Sequence, residues 1–198
     1  MNLIKKKIEA INENGKIKPQ NYYGITKLKI ENFILENFPK NFIILRIFNI
    51  AGFNKNFKFK EFKSRFRRIM PSLSSTINSD KIIKIYGTFK NKNFSYSVRD
   101  YLHIDDFSNL LIKVLISKKS KGIYNVGSNN SYSLKNVIDF FQIKIRKKIN
   151  YRIQKLRRGE LDYTLCNNKK IRRKFKWIPK KNISDIINST IIWSKNKL

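Results

Sequence analysis

The stretch FIILRIF, Phe42–Phe48, constrains the fold more than any other part of the sequence. A near-continuous apolar run of this length suits a strand buried in a parallel sheet, and parallel strands need a crossover, usually a helix, to connect them. The preceding residues supply one. Tyr23 to about Phe38 places Ile25, Leu28, Phe33 and Leu35 among polar positions, and Pro39 stops the helix before the strand begins.

The alternation continues downstream. Asn49 to about Lys60 reads as an irregular loop, Phe62–Ile77 as a basic helical segment interrupted by Pro71, and IIKIYG as a short strand ended by Gly87. VRDYLH reads as strand or loop, and Asp105 or Asp106 can cap a helix whose apolar face is Phe107, Leu110, Leu111, Val114 and Leu115. GIYNVGS is a second buried strand, Ser133 an N-cap for the helix LKNVIDFFQIKI, and Ile183–Trp193 a final amphipathic helix. The class is α/β. Yet none of the seven glycines forms a G-x-G-x-x-G turn after a strand, with which a self-sufficient nucleotide-binding sheet opens. The chain reads as the second half of a larger fold.

Charge is the compositional outlier: 44 Lys and Arg against 13 Asp and Glu give +31 over 198 residues. Two readings fit. A polyanion surface, nucleic acid above all, is one, with FKFKEFKSRFRR as its densest interleaving of cations and aromatics. The other is drifted composition, because the basic residues are spread along the whole length among Asn, Ile, Phe and Tyr, all favoured by A+T-rich codons. The single cysteine, Cys166, excludes an internal disulfide and has no Cys/His cluster of zinc spacing to join. A reducing cytosol and no metal are the expectation. The opening MNLIKKKIEAINENGK lacks a signal peptide's apolar core, and FIILRIF is broken by Arg46 and too short for a bilayer span of ~20 residues, so no membrane role is expected.

Tyr-x-x-x-Lys occurs at Tyr23/Lys27, Tyr86/Lys90 and Tyr151/Lys155. A free tyrosine titrates near pH 10 and is a poor base at neutrality, but a lysine ammonium one helical turn away favours the phenolate. Only the first copy has company. PQNYYGITK at 19–27, LRIFNIAG at 45–52, IMP at 69–71, KIYG at 84–87, VRDYLHIDD at 98–106, IYNVGS at 123–128, LRRGELDY at 156–163 and FKWIPKK at 175–181 follow one another in an order and spacing that resemble the extended short-chain dehydrogenase/reductases. Within that family the VRDYLH wording and the insertion TFKNKNFSYS favour the UDP-glucose 4-epimerases over the nucleotide-sugar dehydratases.

The resemblance implies the C-terminal part of a Rossmann-type doubly wound sheet, about 19–52 and 98–130, interleaved with a small nucleotide-sugar-binding domain, about 53–97 and 131–198. It implies NAD as cofactor, a UDP-sugar as substrate, a homodimer in the intact family, and a separately encoded N-terminal half if the chain is to act. Tyr23 and Lys27 then serve catalysis and the cofactor, and Phe48 packs beside the nicotinamide. Asn49, Arg99 and Arg157 face the substrate diphosphate, Tyr86 lines the nucleoside pocket, Glu160 receives the uridine ribose hydroxyls, and Thr164 walls off the sugar 2-substituent. Three positions depart from the family pattern: Arg68 stands before IMP in place of an asparagine, Gly159 follows Arg158 without a further acidic residue, and Asn167 replaces an aspartate. Against these roles stand ordinary ones: Phe48 as core, an Arg99–Asp100 ion pair, Arg157/Arg158 as a solvated turn, and His103 as a structural residue of VRDYLH.

Overall fold

A computed structural model describes residues 9–54, 68–90, 93–117 and 121–195. Helix α1, Tyr22–Asn37, leads into strand β1, Ile43–Ile47, and β2, Asn49–Ala51. Helix α2, Ile69–Ser74, is followed by β3, Ile83–Lys90, β4, Asn93–Tyr96, and β5, Val98–His103. Helix α3, Ile104–Ile116, precedes β6, Gly122–Val126, and β7, Ser131–Ser133. The chain closes with α4, Leu134–Ile145, β8, Tyr151–Lys155, α5, Lys169–Phe175, and α6, Ile183–Lys195. The α/β class expected from the alternation is the observed one. Most of FKFKEFKSRFRR, 57–67, and the start of the predicted basic helix lie outside the described residues.

The long apolar run does not form one strand. β1 pairs in parallel with β6, from Ile43 opposite Gly122 to Ile47 opposite Val126; after Phe48 the chain changes partner, and β2 pairs in parallel with β5, Asn49 opposite Tyr101. Phe48 bridges the change by donating its amide to the Val126 carbonyl at 2.9 Å. β7 extends β5 antiparallel, and β3 lies between β4, antiparallel, and β8, parallel. β1 is half-buried rather than buried, with Ile47 45% exposed. Only one of its edges is paired among the described residues, and no residue of α1 is buried. Arg46, which interrupts the run, reaches Glu31 of α1 through two guanidinium nitrogens and the Glu13 carbonyl through the third. A charge inside the strand thus ties helix to sheet.

Two cores result. Met70, Leu73, Ile83, Ile85, Ile138 and Phe141 build the first with Ile186 and Ile187; Leu102, Leu110, Val114, Val126, Phe175 and Trp177 build the second. Tyr101 belongs to the first and its neighbour Leu102 to the second, so β5 is their common wall. Helix α5 and Trp177, within the segment assigned by sequence to the substrate side, pack on the second core.

Local differences from the sequence reading have identifiable causes. Gly87 does not end β3, which runs on to Lys90 by pairing with β4. Pro71 lies in the first turn of α2, where a helix leaves N–H groups unused, and so does not interrupt it. Leu115, expected on the buried face of α3, is 81% exposed; the buried positions are Asp106, Leu110 and Val114. Asp106 is buried because its carboxylate accepts the Lys180 and Lys181 amides at 3.0 and 2.8 Å while its carbonyl accepts the Trp177 indole N–H at 3.0 Å.

Neither Asp105 nor Asp106 caps α3. His103 does, its Nδ1 accepting the Asp105 amide at 3.1 Å, while Nε2 faces Ser189 Oγ at 3.3 Å. An Nδ1 that accepts leaves the proton on Nε2 and the ring neutral. Burial draws the His103 pKa below its ordinary value of 6.5. The unfolded chain therefore binds this proton at a higher pH than the folded one, and the ring's contribution to stability, present above about pH 6.5, is lost as pH falls through and below it. Urea midpoints are expected to drop between pH 7 and pH 5, and His103→Gln to flatten that slope; an unchanged slope would remove His103 from this role.

Candidate active site

Asn21 starts the site. Its extended backbone ends the preceding loop, and its Oδ1 accepts the Gly24 amide at 2.8 Å, satisfying one of the free N–H groups that open α1. On the turn so fixed, Tyr23 is 73% exposed, and Lys27, one turn on, places its ammonium 5.5 Å from the centre of the Tyr23 ring. The two share a helix face, and the phenol oxygen has no hydrogen-bond partner among the described residues.

The other amide function of Asn21 leaves the helix: Nδ2 donates to the Gly159 carbonyl at 2.9 Å. The RRGE loop is thereby placed beside the start of α1. Gly159 has φ +79°, and a Cβ there would lie 2.9 Å from the Gln20 carbonyl oxygen. Both facts demand glycine. One residue on, Glu160 closes a turn back to Arg157, its amide donating to the Arg157 carbonyl at 3.0 Å and its carboxylate 3.8 Å from Arg157 Nε. Arg157 reaches over Tyr86, its guanidinium carbon 4.9 Å from the ring centre and Nη2 donating to the phenol oxygen at 3.3 Å. Tyr86, Arg157 and Glu160 form one cluster.

Arg99 lies at the far end of the same loop. Its Nη1 donates to the Val98 and Asp162 carbonyls at 2.9 and 3.1 Å, which uses that nitrogen and leaves three N–H groups on Nε and Nη2. Burial lowers its pKa, opposed by Tyr101, Glu160 and Asp162. Glu160 acts electrostatically on both arginines. The alternative ion pair of Arg99 with Asp100 does not form: alternate strand residues point to opposite faces, and Asp100 is turned to other partners.

Thr164 donates its amide to the Val98 carbonyl at 3.0 Å, and its hydroxyl oxygen is enclosed. Tyr163, before it, directs its phenol to Ser131 at 3.1 Å. Phe48 and Asn49 lie at the change of strand partner, where Asn49 Nδ2 donates to the Asp100 carbonyl at 3.0 Å.

Next to Arg99 lies a residue that the sequence suggests only as a local ion-pair partner. The carboxylate of Asp100, fully buried, accepts four donors: Ser128 N at 2.7 Å, Ser128 Oγ at 2.8 Å, Asn129 N at 2.9 Å and Cys166 N at 3.0 Å. Burial raises its pKa and the four donors oppose the rise. Gly127 sits against it so closely that a Cβ would come 2.4 Å from Cys166 Cβ. Asp100 thus joins β5, the end of β6 and the 163–167 segment at one point.

The family model described as GDP-mannose 4,6 dehydratase matches residues 5–190. The chain belongs to this family. Among curated relatives, the UDP-glucose 4-epimerase of Lactobacillus helveticus is 26% identical over 98% of this chain and 61% of its own length. That of Dictyostelium discoideum is 28% identical over 92% of this chain and 56% of its own. The crystal structure of UDP-glucose 4-epimerase from Bifidobacterium longum in complex with NAD+ and UDP superposes with a TM-score of 0.84, at 24% identity over 97% of this chain and 61% of that one. The fold therefore matches the C-terminal portion of the Rossmann-type fold of that structure, and the chain spans about 60% of the length of the relatives it matches. Among the described residues no helix is long and apolar enough to cross a membrane.

Proposed function

We propose that this chain carries the tyrosine helix and the nucleotide-sugar side of a UDP-glucose 4-epimerase, interconverting UDP-galactose and UDP-glucose. The observation that carries this reading is the hydrogen bond from Asn21 to Gly159, which sets the Tyr23/Lys27 pair next to the Arg157/Glu160/Tyr86 cluster. A proton-transfer pair beside a guanidinium, a carboxylate and an aromatic ring matches the chemistry of a sugar joined to a nucleoside diphosphate.

In this reading Tyr23, as phenolate, takes the proton of the sugar 4-hydroxyl, and Lys27 stabilises the phenolate. Arg157 and Arg99 hold the diphosphate with Asn49, Tyr86 lines the nucleoside pocket, and Glu160 accepts the ribose hydroxyls. Thr164, small and enclosed, leaves volume beside the sugar 2-substituent. The open hydroxyl and ammonium of Tyr23 and Lys27 fit the nicotinamide ribose of NAD, and Phe48 would pack beside the nicotinamide. NAD, when bound, supplies a reversible hydride acceptor at sugar C4. No G-x-G-x-x-G segment is present in this sequence for its pyrophosphate, so the partner in this reading is a polypeptide that bears one, and homodimer pairing belongs to the same reading. Residues of about 19–52 and 98–130 form the cofactor side, and 53–97 and 131–198 the substrate side apart from α5.

The test is conversion of UDP-galactose by the purified chain with NAD, alone and after adding a polypeptide that carries the glycine-rich turn. Epimer formation only in the second case is the expected result. A 4-keto-6-deoxy product would assign the chain to dehydratase chemistry, and UDP failing to bind at millimolar concentration would remove the nucleotide-sugar reading altogether.

A further inference from the structure

We infer that Asn21 is a positioning residue that couples the nucleotide-sugar loop 157–160 to the proton-transfer helix; this rests on the reading just given. Capping α1 asks only for a side-chain oxygen, which serine, threonine or aspartate would also offer. Asn21 does more: it accepts from Gly24 at 2.8 Å and donates to Gly159 at 2.9 Å, across 138 residues of sequence. An aspartate has no hydrogen to donate and a serine is too short to do both, so the amide is selected by the double contact.

The loop end is equally specialised. Gly159 adopts φ +79° and presses against the Gln20 carbonyl, leaving no space for a side chain. From Gly159 the connection runs two residues to Arg157, which rests on Tyr86 of β3, and one residue to Glu160, which pairs with Arg157. In the other direction it runs two residues to Tyr23. The loop is tied on its remaining side by the Leu156 amide, donated to the Gly87 carbonyl at 2.9 Å, and by the Asp162 carbonyl, which accepts from Val98. Asn21 is therefore the contact that fixes the spacing between the groups holding the substrate's anionic part and the phenol that meets its sugar.

The experiment compares the full chain with Asn21→Asp, Asn21→Ser and, as a matched loss of a helix cap elsewhere, Ser133→Ala at α4. Amide hydrogen exchange at 158–161 and UDP affinity by calorimetry are read together with the thermal midpoint. Both Asn21 variants keep α1 capped, so the midpoint should stay within a few degrees. Exchange in the loop should rise about tenfold or more and UDP should bind about tenfold more weakly, the worth of one hydrogen bond. Ser133→Ala should lower the midpoint without either change. Unaltered loop exchange in both Asn21 variants overturns the coupling, and faster exchange with unaltered UDP affinity reduces Asn21 to a structural cap. An unmodified chain that binds no UDP instead refutes the nucleotide-sugar reading, while its exchange data still report on the Asn21–Gly159 contact.

Discussion

Tyr23→Phe is expected to lower the epimerisation rate of the complemented enzyme by about 10²–10⁴-fold, the range over which a positioned acid–base group contributes. The substitution removes one oxygen from a side chain that is 73% exposed, and that oxygen has no hydrogen-bond partner among the described residues. Folding should be unaffected: phenylalanine and tyrosine have similar helix propensity, and the Lys27 ammonium still lies over the ring. The loss should therefore fall on kcat with the thermal midpoint unchanged. Tyr22, its neighbour and 90% exposed, provides the control, since Tyr22→Phe should leave turnover intact. A Tyr23→Phe enzyme retaining more than a tenth of kcat would end the assignment of Tyr23 as the base.

The second large effect concerns stability. Asp100→Ala removes the acceptor shared by three backbone amides and one hydroxyl, in a place where its own exposure is zero. Each buried donor left without a partner costs about 1–3 kcal/mol, and Asp100→Ala leaves four such donors to find new partners. Against a typical domain stability of about 5–15 kcal/mol this is a large fraction, and much of the protein should be recovered unfolded. Asp100→Asn keeps one acceptor oxygen and should fall between the two. Urea unfolding measures the series; a cost below about 1 kcal/mol for alanine would show that water can replace the carboxylate.

The elements that sequence made legible were those with strong local signals. Ser133 caps α4 as expected, and the GIYNVGS strand and the last helix stand where periodicity puts them. The break of the apolar run at Phe48 was not legible, because changing strand partner leaves hydrophobicity untouched. His103 as a cap was hidden by the two aspartates at 105 and 106, both better cap formers by composition, while the geometry of β5 delivers the imidazole first.

At the candidate site, Tyr23, Lys27, Tyr86, Arg157 and Glu160 are the residues that motifs single out. What brings the two groups together could not be picked out: Asn21 and Gly159 look like an ordinary cap and an ordinary turn until the fold makes them neighbours. The place of Asp100 was hidden for a related reason. An Arg–Asp pair adjacent in sequence allows an ion pair, but on a strand the two side chains face opposite ways: Asp100 turns to the amides of Ser128, Asn129 and Cys166, and Arg99 to the Val98 and Asp162 carbonyls.

The common wall made by β5 has a mechanical consequence. Tyr101 and Leu102 are joined by a single peptide bond yet serve different interiors, so neither half can loosen this strand without disturbing the packing of the other. The two interiors are expected to melt as one cooperative unit, so that a cavity opened in the core of Ile85, Ile138 and Phe141 also loosens the core of Leu110, Val126 and Trp177.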